Sequence, residues 1–169
     1  MLAIVSKESV MLLRSALLDK WKHEVTHRLP LAVQQAIPPV YLNTGKQGSF
    51  ADVTSKRIRF NGKQTFRWIA KGREHQLRAI MAHEIGHLLN GDTNVKVDLC
   101  SYGWSSYKMP HLHREVTAWE TAMMLLIIHG HDPRAVMTEL RWHRDQRLVD
   151  RIVCIVDFLE QNYLYSPRT

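Results

Sequence analysis

Cysteine is scarce in this 169-residue chain: Cys100 and Cys154 are the only two, and they lie too far apart to form a CxxC metal clip or a disulfide framework. Reduced thiols in a cytoplasmic setting are the expectation. Long apolar runs are missing as well. The most apolar stretch, residues 122–128, falls far short of the roughly 20 residues that a membrane-crossing helix needs. The first residues, MLAIVSKESV, have no basic segment ahead of a continuous apolar run and no small-residue cleavage site, so a signal peptide is not expected. There is no low-complexity tract, no internal repeat and no linker, and only residues 166–169 look prone to fray.

Positive charge is plentiful, with a formal net charge of +7 and a pI near 9.6. That balance permits nucleic acid, an acidic partner or an anionic membrane surface. The basic residues are spread along the chain, with small concentrations at 56–59 and 141–147. They read as a solvated face rather than a nucleic-acid patch.

Apolar periodicity predicts the elements. Val10, Leu13, Leu17, Trp21 and Val25 recur at helical spacing between Ser6, a plausible N-cap, and Pro30. A short helix over 31–36 and a short strand over 40–43 follow, then a turn-rich segment over 44–49. In RIRFNGKQTFRWI, residues 57–69, Ile58 with Phe60 and Phe66 with Trp68 alternate on either side of Asn61-Gly62, which predicts a β-hairpin or two edge strands. The spacing of Leu77, Ile80, Met81, Ile85, Leu88 and Leu89 predicts a helix over 74–90 that stops at Gly91. Residues 92–110 form a long loop with Tyr102, Trp104 and Tyr107. Further helices are expected over 111–129, over 133–143 starting at Pro133, and over 145–163, the last with Leu148, Ile152, Ile155, Val156 and Leu159 on one face.

The helix over 74–90 carries the chemistry. His83-Glu84-Ile85-Gly86-His87 is an HExxH pattern, and residues four apart share a helical face, so both imidazoles can reach one metal ion. Glu84 points about 100° further round the helix, where it meets the metal's water instead of the metal. Zinc brings the pKa of a bound water down to about 7, and a carboxylate can then help it attack a peptide carbonyl. Gly86 stands where a larger side chain would obstruct close packing.

A catalytic zinc needs a third protein ligand. Glu115, near the start of the next helix and on one face with Ala118 and Ala122, is favoured. His111 and His113 remain the alternatives, since either would complete a three-histidine site. Glu120 lies about 140° round the helix from Glu115, so the two cannot both face the metal.

LRAIMAHEIGHLLNGD, residues 77–92, followed by EVTAW, residues 115–119, resembles the gluzincin metallopeptidases, whose pattern is HExxH with a glutamate on a later helix. The wording is similar to the HtpX-like peptidases and minigluzincins, and the short gap to the second helix is similar to the ImmA/IrrE-type proteases. Chain length predicts a single domain over residues 1–169, and the resemblance, which covers about 45 residues, implies that it is zincin-like: α+β and mostly helical, with a small sheet or hairpin before the active-site helix. It implies one Zn2+ per chain on His83, His87 and Glu115, with Glu84 as catalytic base. It further implies a protein or peptide substrate, added in extended form to an edge strand at 57–60 or 66–69. Trp119 departs from the pattern, because these families commonly carry Asp or Asn there to orient a ligating histidine. Asp92, Asp98 or a backbone carbonyl could take over that task. Tyr102, Tyr107, His111, His113 and Arg114 are candidate donors to a tetrahedral intermediate. Two rival functions are a regulatory module that keeps the fold with little turnover and a DNA-associated protease of the SprT type, the latter with a histidine third ligand.

Overall fold

The computed structural model describes residues 7–43, 50–52, 57–92, 109–140, 146–159 and 161. Its order is α1 (Lys7–Glu24), α2 (Leu31–Ala36), β1 (Val40–Asn43), β2 (Phe50–Asp52), β3 (Arg57–Asn61), α3 (Gly62–Ile69), α4 (Glu74–Leu89), α5 (Met109–Ile128), α6 (Ala135–Leu140) and α7 (Gln146–Leu159). The architecture is α+β and mostly helical, with a small sheet ahead of α4, as expected. Among the described residues no helix is long and apolar enough to cross a membrane.

The sheet has the order β1-β3-β2. β1 runs parallel to β3, with Val40 opposite Ile58 and Leu42 opposite Phe60. β2 runs antiparallel to it, with Ala51 opposite Ile58. Ile58 and Phe60 are fully buried, each contributing about 1.5–3 kcal/mol, while Arg57 is exposed and stacks over Tyr41 at 5.2 Å.

The expected hairpin does not form. Residues 62–69 are helix α3, because the Asn61 side chain accepts a hydrogen bond from the Gln64 backbone N–H at 2.9 Å and so caps a helix start. Gly62, Thr65 and Trp68 are the buried residues of α3, at a spacing of three. The two segments expected to form the substrate-binding edge are corrected with it: 66–69 is helical, and Arg57–Asn61 is the central strand, paired on both sides.

α4 runs through the middle of the fold and is buried from Gln76 to Gly86, except for the half-buried Arg78. A helix buried nearly all round must be packed from several sides. α5, α6, α1, α3 and β2 all contact it. α1 packs Leu18 and Trp21 into the core, with Val25 just beyond its end and Leu17 half-buried beside them. Trp21 Nε1 donates to Glu74 at 3.4 Å, and Arg78 pairs with Glu24. Lys22 Nζ donates to the carbonyls of Ile37 and Pro38 at 2.7 and 3.1 Å, which fixes the turn into β1. α4 ends where expected: Gly91 has φ +69°, and its N–H donates to the Leu88 carbonyl.

α5 leads through Gly130, at φ +76°, to α6, and α7 buries Leu148, Ile152, Val156 and Leu159. α6 starts two residues later than expected, because Pro133 and Arg134 form a turn in which the Asp132 carboxylate accepts from the Arg134 N–H. Ser6, the aromatic loop of Tyr102, Trp104 and Tyr107, and Asp98 lie outside the described residues.

Candidate metal centre

His83 and His87 are one turn apart on α4, and the face of α5 that carries Glu115 lies directly against that turn. The close approach has a visible cause: Ala118 and Ala122 of α5 are fully buried, and Gly86 presents only a hydrogen to the Ala118 carbonyl. Glu115, one turn before Ala118, then brings its carboxylate to both imidazoles.

The distances between the donor atoms define the site. His83 Nε2 lies 3.1 Å from His87 Nε2. Glu115 Oε2 is 3.4 Å from His83 Nε2, and Oε1 is 3.6 Å from His87 Nε2. A tetrahedral ion with bonds of 2.0–2.1 Å separates its ligand atoms by about 3.3 Å, so this triangle fits one face of such a tetrahedron. Among the described residues, these three form the group of histidine, cysteine and acidic side chains that could hold a metal ion.

His83, Glu84 and Glu115 are buried, at 7, 5 and 9% exposure. His87 Nδ1 is 2.8 Å from Asp92 Oδ2. The carboxylate can only accept, so Nδ1 carries the proton and Nε2 turns its lone pair towards the other donors. Burial lowers the His87 pKa from its ordinary value, the neighbouring His83 acts in the same sense, and the Glu115 and Asp92 carboxylates oppose the shift. The shift favours the neutral imidazole, the form that ligates a metal.

Of the residues proposed from sequence, Asp92 is the one found against a histidine. Asn90 caps α4, and its Oδ1 accepts from Thr121 Oγ1 at 3.0 Å, which ties the end of α4 to α5. His113 is exposed and Glu120 half-buried, and neither joins the cluster; the side chain of His111 lies outside the described residues. Spacing alone did not anticipate Trp119. Its indole stacks on the His83 ring with centroids 3.9 Å apart and planes inclined by 25°.

The model of Peptidase family M48 matches residues 8–146, a span that contains the sheet, α4, α5 and α6. Comparison with the curated proteins returns no match, and comparison with the solved structures returns none either. With the family model covering most of the chain and a His-His-Glu cluster at its centre, the chain belongs to peptidase family M48, a family of metal-dependent peptidases of the gluzincin type.

Proposed function

We propose that the chain is a zinc-dependent endopeptidase acting on a protein substrate, with His83, His87 and Glu115 as zinc ligands and Glu84 as general base. The observation that carries this reading is the donor triangle of 3.1, 3.4 and 3.6 Å edges, made of two imidazole nitrogens and a carboxylate. Two nitrogens and one oxygen at tetrahedral spacing match the His2Glu set of zinc hydrolases. A zinc ion bound there supplies Lewis-acid polarisation of the scissile carbonyl and lowers the pKa of its water towards about 7.

The chain's own residues do the rest. Glu84 follows His83 directly, so it projects beside the triangle and not into it; it accepts the proton of the attacking water and returns it to the departing amine. Asp92 keeps the His87 proton on Nδ1, so the ring remains a ligand throughout. Substrate binds as an extended strand along β2, the outer strand of the sheet on the side that touches α4.

Cleavage of an unstructured protein such as casein by the zinc-loaded chain tests the proposal. Proteolysis that stops with chelator and with Glu84→Gln, while the variant keeps its zinc, is the expected result. A loaded wild type that cuts neither casein nor a library of extended peptides would instead point to a binding module built on a peptidase fold.

A further inference from the structure

We infer that Trp119 is a positioning residue for the metal centre: its indole holds the His83 imidazole in the ligating orientation by stacking, as the Asp92 carboxylate holds His87 by a hydrogen bond. The inference rests on the reading of His83, His87 and Glu115 as metal ligands, and it assigns a role at the position where related families commonly carry Asp or Asn.

Three observations carry it. Trp119 is one helical turn beyond Glu115 on α5, so both side chains face α4 at the same level as the HExxH turn. The two rings lie nearly parallel at 3.9 Å, close enough that the imidazole cannot turn about its Cβ–Cγ bond without striking the indole. Trp119 is 2% and His83 7% exposed, so core packing fixes the indole and no substrate can reach it. The two ligating rings are 4.5 Å apart and inclined by 76°, so the surface that supports one cannot support the other. Each ring has its own brace: a carboxylate for His87 and an aromatic face for His83.

The stack is also matched to the metal-bound state. Coordination withdraws electron density from an imidazole, and a ring with partial positive charge is drawn more strongly to the electron-rich face of an indole. Trp119 therefore favours the ligated form of His83 over the free form. A short Asp or Asn at this position would support the histidine by hydrogen bonding but would leave unfilled the volume that the indole occupies between α4 and α5.

The test compares zinc affinity, measured by competition with a chromogenic chelator, for wild type, Trp119→Phe and Trp119→Leu, each checked for folding by circular dichroism. Visible spectra of the cobalt-substituted proteins report ligand geometry independently of activity. Trp119→Leu is expected to bind zinc roughly 10- to 100-fold more weakly, the range for loss of a residue that orients a ligand, with displaced cobalt bands. Trp119→Phe, which keeps an aromatic face, is expected to recover most of the affinity and the wild-type bands. Equal affinity and unchanged cobalt bands in Trp119→Leu would overturn the inference. If Trp119→Leu does not fold, the wild-type protein decides: stacking requires the His83 ring protons to resonate upfield of those of His87 in proton NMR, and their absence from the upfield region overturns it. A wild type that binds no zinc would remove the metal-centre reading itself, and this inference with it.

Discussion

A Cβ placed on Gly86 would stand 2.5 Å from the backbone carbonyl oxygen of Ala118. That contact sets the separation of α4 and α5, and so the distance from Glu115 to the two histidines. A backbone atom cannot swing aside as a side chain can. Gly86→Ala is expected to force the helices apart, lowering stability by about 1–3 kcal/mol and weakening zinc binding in the same variant. Chemical denaturation together with a zinc titration checks both effects, and a variant with wild-type values in each would contradict the account of the helix contact.

Glu84 is buried beside the donor triangle but is not a member of it. Glu84→Gln preserves shape while removing the proposed base. Peptidase activity is expected to fall by roughly 100- to 10,000-fold, the usual range for a positioned general base, with zinc content unchanged. Loss of zinc along with activity would show that this carboxylate serves the metal and not the water.

Asp92 accepts the Nδ1 proton of His87 at 2.8 Å. In Asp92→Asn the amide can present either an oxygen or an N–H to that ring, so the tautomer is no longer imposed. Zinc affinity is expected to drop roughly 10- to 100-fold, read by chelator competition. Affinity equal to wild type would leave the His87 tautomer to some other group.

His129 ties the end of α5 to the turn that follows α1. Its Nδ1–H donates to the Leu125 carbonyl at 2.7 Å, and its Nε2 accepts the Arg28 N–H at 3.0 Å; the second bond requires the neutral ring, because a protonated Nε2 could not accept. Burial lowers its pKa from the ordinary value, with further lowering by His27, Arg28 and His131, against the Leu125 hydrogen bond. The unfolded chain then binds more protons than the native one between the two pKa values, so stability falls as pH drops below about 6.5, the unfolded value, and levels off below the folded pKa. His129→Gln keeps an acceptor for Arg28 without titrating. It should therefore be less stable than wild type at pH 8 yet lose less stability on going to pH 5.5, as measured by urea unfolding of the metal-free proteins. Parallel pH profiles would contradict the assignment.

Asn61 caps α3 through Gln64. Asn61→Ala is expected to cost about 1 kcal/mol, whereas a turn residue of a hairpin would show its cost as a change in strand pairing. Amide exchange separates the two: faster exchange in residues 62–69, with β3 protected, is the expected pattern.

The same residue shows where the sequence was misread. Asn61-Gly62 between alternating apolar residues is a strong hairpin signal, yet Asn61 with Gln64 three positions on is also the pattern of a helix start. The helix prevails because Gly62, Thr65 and Trp68 bury one face at helical spacing. α4 was legible to within a residue, since its apolar periodicity and the Gly91 stop agree. The central place of β3 was not legible, because β2 is three residues long directly after a turn-rich stretch and the β1–β3 pairing is parallel and non-local.

At the site, the HExxH spacing and the small residues Ala118 and Ala122 already favoured Glu115, because both follow from helix geometry. The stack of Trp119 on His83 depends on how two helices face each other, and spacing along one helix does not report that. Four residues after Glu115, an indole is at once a departure from a pattern and, in three dimensions, a neighbour of His83.

The most direct test is zinc content per chain, by elemental analysis of protein purified without a metal-binding tag, for wild type, Glu115→Ala, Glu120→Ala and His113→Ala. The account predicts one zinc per wild-type chain, retained in Glu120→Ala and His113→Ala and lost in Glu115→Ala. Zinc retained in Glu115→Ala, or a wild type that takes up none after refilling, would contradict it.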